Sequence, residues 1–96
     1  MILKLNDFEF KDYSFSERYL NNDNIEVYIN IKYDDMSKAR EFMDNISRSG
    51  NISIELLRDD KSSVVKYDTS FNEVYKEIDV TDDKFIVILS YITSKN

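Results

Sequence analysis

The chain has 96 residues, a hydrophobic share of 42%, seven tyrosines and six phenylalanines, which is enough for one core without metal ions or disulfides. Its formal net charge of −6 argues against direct nucleic-acid binding, which needs cations to displace the counterions of phosphate, and against docking on an anionic membrane. The absence of histidine and cysteine, with a single glycine, removes the commonest general base, zinc ligand, thiol nucleophile and phosphate loop. We therefore expect neither an enzyme nor a cofactor or metal site.

The first element is a hairpin. Leu3 and Leu5 precede Asn6-Asp7, and Phe8 and Phe10 follow it. Asparagine and aspartate tolerate the positive φ angles of a tight turn, so this dipeptide is suited to a two-residue connection. Such a turn sets Leu5 opposite Phe8 and Leu3 opposite Phe10, which predicts that all four share one buried face.

Residues 25–33 alternate between apolar and polar residues without interruption. Successive strand residues point to opposite faces, so the run predicts a half-buried strand whose reverse side is solvated or faces a partner. The buried face carries Ile25, Val27, Ile29, Ile31 and Tyr33.

The preceding strand carries Tyr13, Phe15 and Tyr19, and its register depends on the loop. A three-residue loop, 22–24, pairs these residues with Tyr33, Ile31 and Val27. A four-residue loop sets them against Lys32, Asn30 and Glu26 instead. We favour the odd-numbered loop, because a slip of one residue moves a whole apolar set to the wrong face.

One window has helical spacing, and it predicts a helix over about residues 35–48. Asp34 or Asp35 can cap its first turn, and Gly50 suits a left-handed C-cap. The apolar stripe that should pack on the sheet consists of Met36, Ala39, Phe42, Met43 and Ile46.

Further strands follow the helix, over residues 52–56, 65–71, 74–80 and 85–92, although the spacing of Val74, Tyr75 and Ile78 also fits the start of a helix. Residues 85–92 are apolar on both sides, which predicts a central strand covered on both faces. The order predicts one α+β domain over residues 1–96, with antiparallel sheet of about six strands. The expected core includes Ile29, Ile31, Phe42, Ile54, Val87 and Leu89.

The candidate protein-binding residues lie on the polar sides of two strands. Tyr28 stands between Glu26 and Lys32, and Tyr75 stands between Glu73 and Glu77. Exposed tyrosines with a charged rim are frequent anchors of protein interfaces. The alternative is that each tyrosine packs beneath a strand block and that the charges form a solvated face.

Three aspartate pairs, Asp34-Asp35, Asp59-Asp60 and Asp82-Asp83, fall between periodic segments. Aspartate is favoured there for turns and caps, and none of the pairs has the spacing of a calcium loop. We therefore assign them structural roles.

The chain opens with Met1-Ile2-Leu3-Lys4-Leu5-Asn6, continues with strands and one mid-chain helix, and ends in Phe85-Ile86-Val87-Ile88-Leu89. In this layout it resembles small phage or prophage tail- and baseplate-associated proteins of low-GC bacteria, and in style it is similar to phage-encoded inhibitors of bacterial defence systems. No motif position matches either group, so no functional residue can be transferred.

The first resemblance implies a virion structural component that binds its own copies or other virion proteins, made in the bacterial host cytoplasm and then carried in the virion as a homo-oligomer or part of an assembly. The second implies an acidic protein that blocks a host defence protein by occupying a basic groove. Lysines interspersed among the carboxylates favour the first class, because a nucleic-acid mimic should mass its carboxylates on one face.

Overall fold

The structure is a computed structural model that describes residues 1–21 and 23–94. Over these residues it is α+β, with one α-helix and two antiparallel sheets of four strands each. In chain order the elements are β1 (Ile2–Leu5), β2 (Phe8–Phe10), β3 (Tyr13–Tyr19), β4 (Asn24–Tyr33), α1 (Met36–Ser49), β5 (Asn51–Leu57), β6 (Ser63–Ser70), a 3-10 helix (Phe71–Glu73), β7 (Tyr75–Val80) and β8 (Phe85–Ser94). The described residues form eight strands, divided between two sheets, where the sequence predicted antiparallel sheet of about six strands.

Each half of the chain contributes one hairpin to each sheet. The first sheet has the strand order β2-β1-β5-β6, and the second has the order β3-β4-β8-β7. The strands nearest the helix in sequence, β4 and β5, therefore belong to different sheets, with α1 joining them. The second sheet places β4 and β7 on either side of β8, although the sequence separates them widely.

The first hairpin forms in the predicted register, with Leu3 opposite Phe10 and Leu5 opposite Phe8. Asn6 takes a positive φ of 54° in the turn. Its amide also fixes the hairpin to the next strand of the sheet, because Oδ1 accepts from the Ser53 N–H at 2.9 Å. Asparagine tolerates this left-handed conformation because its short polar side chain can form hydrogen bonds with nearby backbone groups.

The predicted register of β3 and β4 has the right faces but is wrong by two residues. Tyr13, Phe15 and Tyr19 lie opposite Ile31, Ile29 and Ile25. The Leu20 N–H donates to the Asn24 carbonyl at 2.8 Å, which places the connection one residue earlier than expected, and Asp23 has a φ of 63°. Of the expected loop residues, Asn22 lies outside the described residues. Hydrophobic patterning determines which side chains share a face, and a register that is shifted by two residues keeps every side chain on its face. The predicted three-residue loop and the observed one, which begins one residue earlier, therefore fit the pattern equally well.

The helix lies within one residue of its predicted bounds. The Asp35 carboxylate accepts from the Ser37 N–H at 2.8 Å and caps the first turn. Gly50 closes the last turn in the left-handed region, at φ 76°. The Arg48 guanidinium bonds the Asn45 side chain at 3.2 Å, on the outer side of the helix.

The two sheets face each other and share one hydrophobic core with the helix. The predicted core residues Ile29, Ile31, Phe42, Ile54, Val87 and Leu89 are all buried. At one end the Phe42 ring meets Phe8 and Phe10 edge to face, with centroids 5.1 and 5.3 Å away. Near the other end Tyr67 of the first sheet meets Tyr91 of the second, with centroids 6.1 Å apart.

The expectation that β8 is covered on both faces is wrong. Val87 and Leu89 are buried between the sheets, but on the reverse face Ile92 is 60% exposed and Ile86 and Ile88 are only partly buried. Neighbouring side chains of the same sheet shield this face in part, and no layer of the described chain covers it. An apolar run of this kind has the same pattern whether its second face is covered by its own chain or left open.

Candidate protein-binding surface

The candidate surface is the part of the second sheet's outer face that β4, β8 and β7 form, and we call it the tyrosine face. It consists of Glu26, Tyr28, Asn30 and Lys32 of β4, Tyr75, Glu77 and Asp79 of β7, and Ile86, Ile88, Ser90 and Ile92 of β8. These residues share one face because they alternate with buried residues along their strands. The register fixes which of them lie side by side.

Tyr28 and Tyr75 lie on the same row of the sheet, on either side of Ser90. Their Cα atoms are therefore roughly 10 Å apart, two strand spacings. The side chain of Ser90 is short, so the two rings flank a low point in the middle of the face. Ile88 and Ile92 lie along β8 on either side of this point and extend it into an apolar stripe.

Both rings are accessible on this face: Tyr28 is 38% exposed and Tyr75 is 57% exposed. The Tyr75 hydroxyl donates to the Glu77 carboxylate, and this bond and the negative charge of Glu77 raise the pKa of Tyr75. The hydrogen bond holds the ring over its own strand. A pre-oriented aromatic ring loses little conformational freedom on binding, which suits it to an interface.

Charged groups surround the apolar stripe. The Arg18 guanidinium, on β3, pairs with the Glu26 carboxylate at 3.0 Å and closes one end of the face. At the other end Lys32 and Asp79 lie on one row, on opposite sides of Ile86. The face thus has an apolar middle and a charged rim, the arrangement of protein interfaces.

Of the six candidate residues, the structure brings five together on the tyrosine face. Glu26, Tyr28 and Lys32 come from β4, and Tyr75 and Glu77 come from β7. Glu73 does not belong to this set, because β7 begins at Tyr75 and Glu73 ends the preceding 3-10 helix. The Ser70 hydroxyl caps that helix by accepting from the Asn72 N–H at 3.3 Å, which breaks the alternation expected before Tyr75.

The middle of this surface was not among the residues predicted from the sequence. Ser90 and the isoleucines at 86, 88 and 92 join the two tyrosines, and Asp79 completes the rim. The signal was present, since residues 85–92 are apolar on alternate positions of both faces. This pattern predicted that other parts of the chain would cover both faces of the strand, but in the structure one face of β8 is left uncovered.

The outer face of the first sheet differs, and we call it the charged face. One row runs across all four strands through Glu9, Lys4, Glu55 and Lys66, so that the sign of the charge alternates. Glu9 also accepts from the Lys61 ammonium at 2.8 Å. Opposite charges on neighbouring strands stabilise each other while remaining hydrated. This row therefore has the composition of a solvated surface, and one apolar residue of β6 on the same face, Val64, is 38% exposed.

Two of the three aspartate pairs supply caps and turns. Asp35 caps the helix, and the Asp60 carboxylate accepts from both the Ser62 N–H and its hydroxyl, at 2.9 and 2.7 Å. These bonds hold the pKa of each carboxyl below its ordinary value. Asp34 pairs with the Lys84 ammonium, which lowers the pKa of the aspartate and raises that of the lysine. Asp82 and Asp83 lie in the β7–β8 turn, between Val80 and Phe85.

Within the described ranges, histidine, cysteine and carboxylate side chains form no group of three that could hold a metal ion. No helix in the same part of the chain has the length and hydrophobicity needed to cross a membrane. No protein-family model, curated protein or solved structure matches the chain.

Proposed function

We propose that this chain is a non-catalytic protein-binding module that serves as a structural component of a phage or prophage virion, in the tail or baseplate. The observation that carries the proposal is the tyrosine face, where two exposed tyrosines flank an apolar stripe that the described chain leaves open. Tyrosine is enriched among interface residues whose truncation weakens binding most. In this role the protein is made in the bacterial host cytoplasm and docks through this face onto neighbouring protein chains.

The contrast between the two outer faces supports a protein partner. If both faces met only water, we would expect both to resemble the charged face. The tyrosine face instead exposes Ile92 to 60% and Tyr75 to 57%. Contiguous exposed apolar surface with a polar rim marks interaction sites in soluble proteins.

The competing proposal is a small acidic inhibitor that occupies the basic groove of a bacterial defence protein. Such a protein should concentrate its carboxylates on one face. On the charged face, lysines alternate with glutamates instead. On the outer face of the second sheet, Lys32 and the neighbouring Arg18 of β3 offset part of the acidic charge. This distribution favours the virion component.

The test combines particle composition with two matched variants. Mass spectrometry of purified particles should find the chain, and Tyr28→Ala or Tyr75→Ala should lower its incorporation strongly. A central aromatic anchor contributes roughly 2 kcal/mol or more to binding, about 30-fold in affinity. Tyr19→Ala is the matched control, because Tyr19 is 66% exposed but lies outside the tyrosine face. Circular dichroism and urea unfolding should show that all three variants remain folded.

A pull-down from host lysate tests the competing proposal in the same experiment. Absence of the chain from particles, with one host protein captured in a stoichiometric and salt-sensitive complex, would overturn the virion role. Equal incorporation of Tyr75→Ala, Tyr28→Ala and Tyr19→Ala would show that the tyrosine face does not carry the binding.

A further inference from the structure

We propose that the tyrosine face binds a second copy of this chain face to face, about a two-fold axis that runs along β8. This inference rests on the proposed use of the tyrosine face and names its occupant and symmetry. A two-fold axis in this direction keeps each row of the sheet in place and exchanges β4 with β7. The strand register of β4, β8 and β7 then determines which residues of the two copies lie opposite each other.

The charged row becomes complementary under this rotation. Lys32 and Asp79 lie on opposite sides of Ile86. The rotation sets Lys32 of each copy opposite Asp79 of the other, so one dimer gains two opposite-charge pairs. The long lysine side chain can follow the rotation of about 30° between packed, twisted sheets. A two-fold interface must be self-complementary, and this row satisfies that condition.

The aromatic and apolar rows also match themselves. Tyr28 of one copy lies opposite Tyr75 of the other, and Asn30 lies opposite Glu77, to which its amide can donate. The stripe of isoleucines on β8 meets its own counterpart across the axis. Sheets packed face to face are about 10 Å apart, a distance that interdigitated isoleucine and tyrosine side chains fill.

The other axis that could relate two packed sheets runs across the strands, and it fits less well. It would reverse the rows and set Lys32 opposite Glu26 of the second copy. The Arg18 guanidinium already neutralises Glu26 at 3.0 Å. Asp79 would then have no cation opposite it on this face. The axis along β8 is therefore the better match.

The size of the face indicates a weak dimer. The axis matches three strands, β4, β8 and β7, which are about 4.8 Å apart; with seven residues rising about 3.3 Å each, they cover roughly 14 by 23 Å. The two copies then bury roughly 650 Å² in total, less than a permanent dimer needs, so the dimer should be transient: it should dissociate on dilution to about 1 µM and form at about 100 µM. Raised salt should weaken it, because Lys32 and Asp79 lie at the screened rim.

The decisive experiment uses two charge reversals, measured by sedimentation equilibrium of the full chain. Lys32→Glu and Asp79→Lys should each raise the dimer dissociation constant about tenfold or more, because each creates two like-charge contacts per dimer. An equimolar mixture of the two variants should dimerise again. In that heterodimer the new glutamate at position 32 of one copy meets the new lysine at position 79 of the other, and the unchanged Asp79 meets the unchanged Lys32, so both pairs are attractive. Lys66→Glu, on the charged face, should leave the constant unchanged.

Each outcome decides the matter. A wild-type chain that stays monomeric at about 100 µM, or a dimer whose mixed variants do not recover, would overturn the proposal. If Asp79→Lys has no effect while Lys32→Glu weakens the dimer, the axis across the strands is the correct one and this proposal is wrong. Failure here leaves the proposed function standing if Tyr75→Ala still lowers incorporation into particles, so the two results are distinguishable.

Discussion

Two neighbouring tyrosines in the core differ in how their hydroxyls are satisfied. The Tyr67 hydroxyl donates to the Glu17 carboxylate of the opposite sheet, and burial together with this bond raises the pKa of Tyr67 to about 12. The Tyr91 hydroxyl is buried and has no hydrogen-bond partner among residues 1–21 and 23–94. A buried polar group without a partner costs roughly 1–3 kcal/mol of desolvation. The contribution of Tyr91 to stability should therefore come from its ring.

We expect Tyr91→Phe to leave the free energy of unfolding unchanged or to raise it by up to about 1 kcal/mol, because the substitution removes only the unpaired hydroxyl. Tyr67→Phe is the matched comparison and should lower it, since it breaks the bond to Glu17. Urea unfolding of both variants measures the difference. A loss above about 1 kcal/mol for Tyr91→Phe would contradict this expectation, because it would mean that the hydroxyl makes a stabilising hydrogen bond.

Hydrogen bonds at its two ends determine where the helix begins and ends. Asp35 caps the start, and Gly50 donates from its N–H to the Ile46 and Ser47 carbonyls, each at 3.2 Å. The Gly50 carbonyl in turn accepts from the Phe71 N–H at 3.0 Å, which connects the end of the helix to the end of β6. The left-handed conformation at Gly50 therefore positions both the helix and a strand junction.

We expect Gly50→Ala to lower the free energy of unfolding by about 1–2 kcal/mol. A Cβ atom at this position would meet no other atom within 4 Å, so the cost is backbone strain at φ 76° and not a clash. Gly50→Asn should cost less, because asparagine tolerates the left-handed region. Thermal and urea unfolding of the two variants would check the order; equal losses for both would contradict a purely conformational cost.

Local signals predicted the helix and the first hairpin. They failed where one pattern fitted two registers and where the answer depended on distant residues. Asp35 and Gly50 mark the helix ends within one residue. The register of β3 and β4 depended on which three residues form the loop, and patterning fixes only whether the number is odd or even. The sequence pattern identified part of the tyrosine face, because it predicted Tyr28 and Tyr75 as binding residues. That the two tyrosines lie on either side of Ser90 follows from the strand order β4-β8-β7, and no local sequence pattern predicts this order.

For the whole molecule, the titration pattern predicts a broad plateau of stability. Glu9, Asp34, Asp35 and Asp60 have pKa values lowered by hydrogen bonds or lysines. A lowered folded pKa contributes stability that is present above the unfolded value of about 4 and lost as the pH falls through the folded value. Burial raises the pKa of Tyr33 to about 12 and also raises that of Tyr91. Their contribution is present below the unfolded value of about 10 and lost as the pH rises through the folded values.

We therefore expect the urea midpoint to change little between about pH 5.5 and pH 9, because the chain contains no histidine to titrate there. The midpoint should fall below about pH 4 and again above about pH 10. Urea titrations at closely spaced pH values, at fixed ionic strength, test this. A step near pH 6–7 would contradict it, since it would require an ionisable group that the described residues do not account for.

Photo-crosslinking in the native cells would report whether other proteins contact the tyrosine face, as we propose. The photoreactive residue p-benzoylphenylalanine would replace Tyr75 in one variant and Lys66, on the charged face, in the other. We expect covalent adducts with protein chains from position 75 and few or none from position 66. Adducts from position 66 alone, or equal yields from both positions, would contradict it.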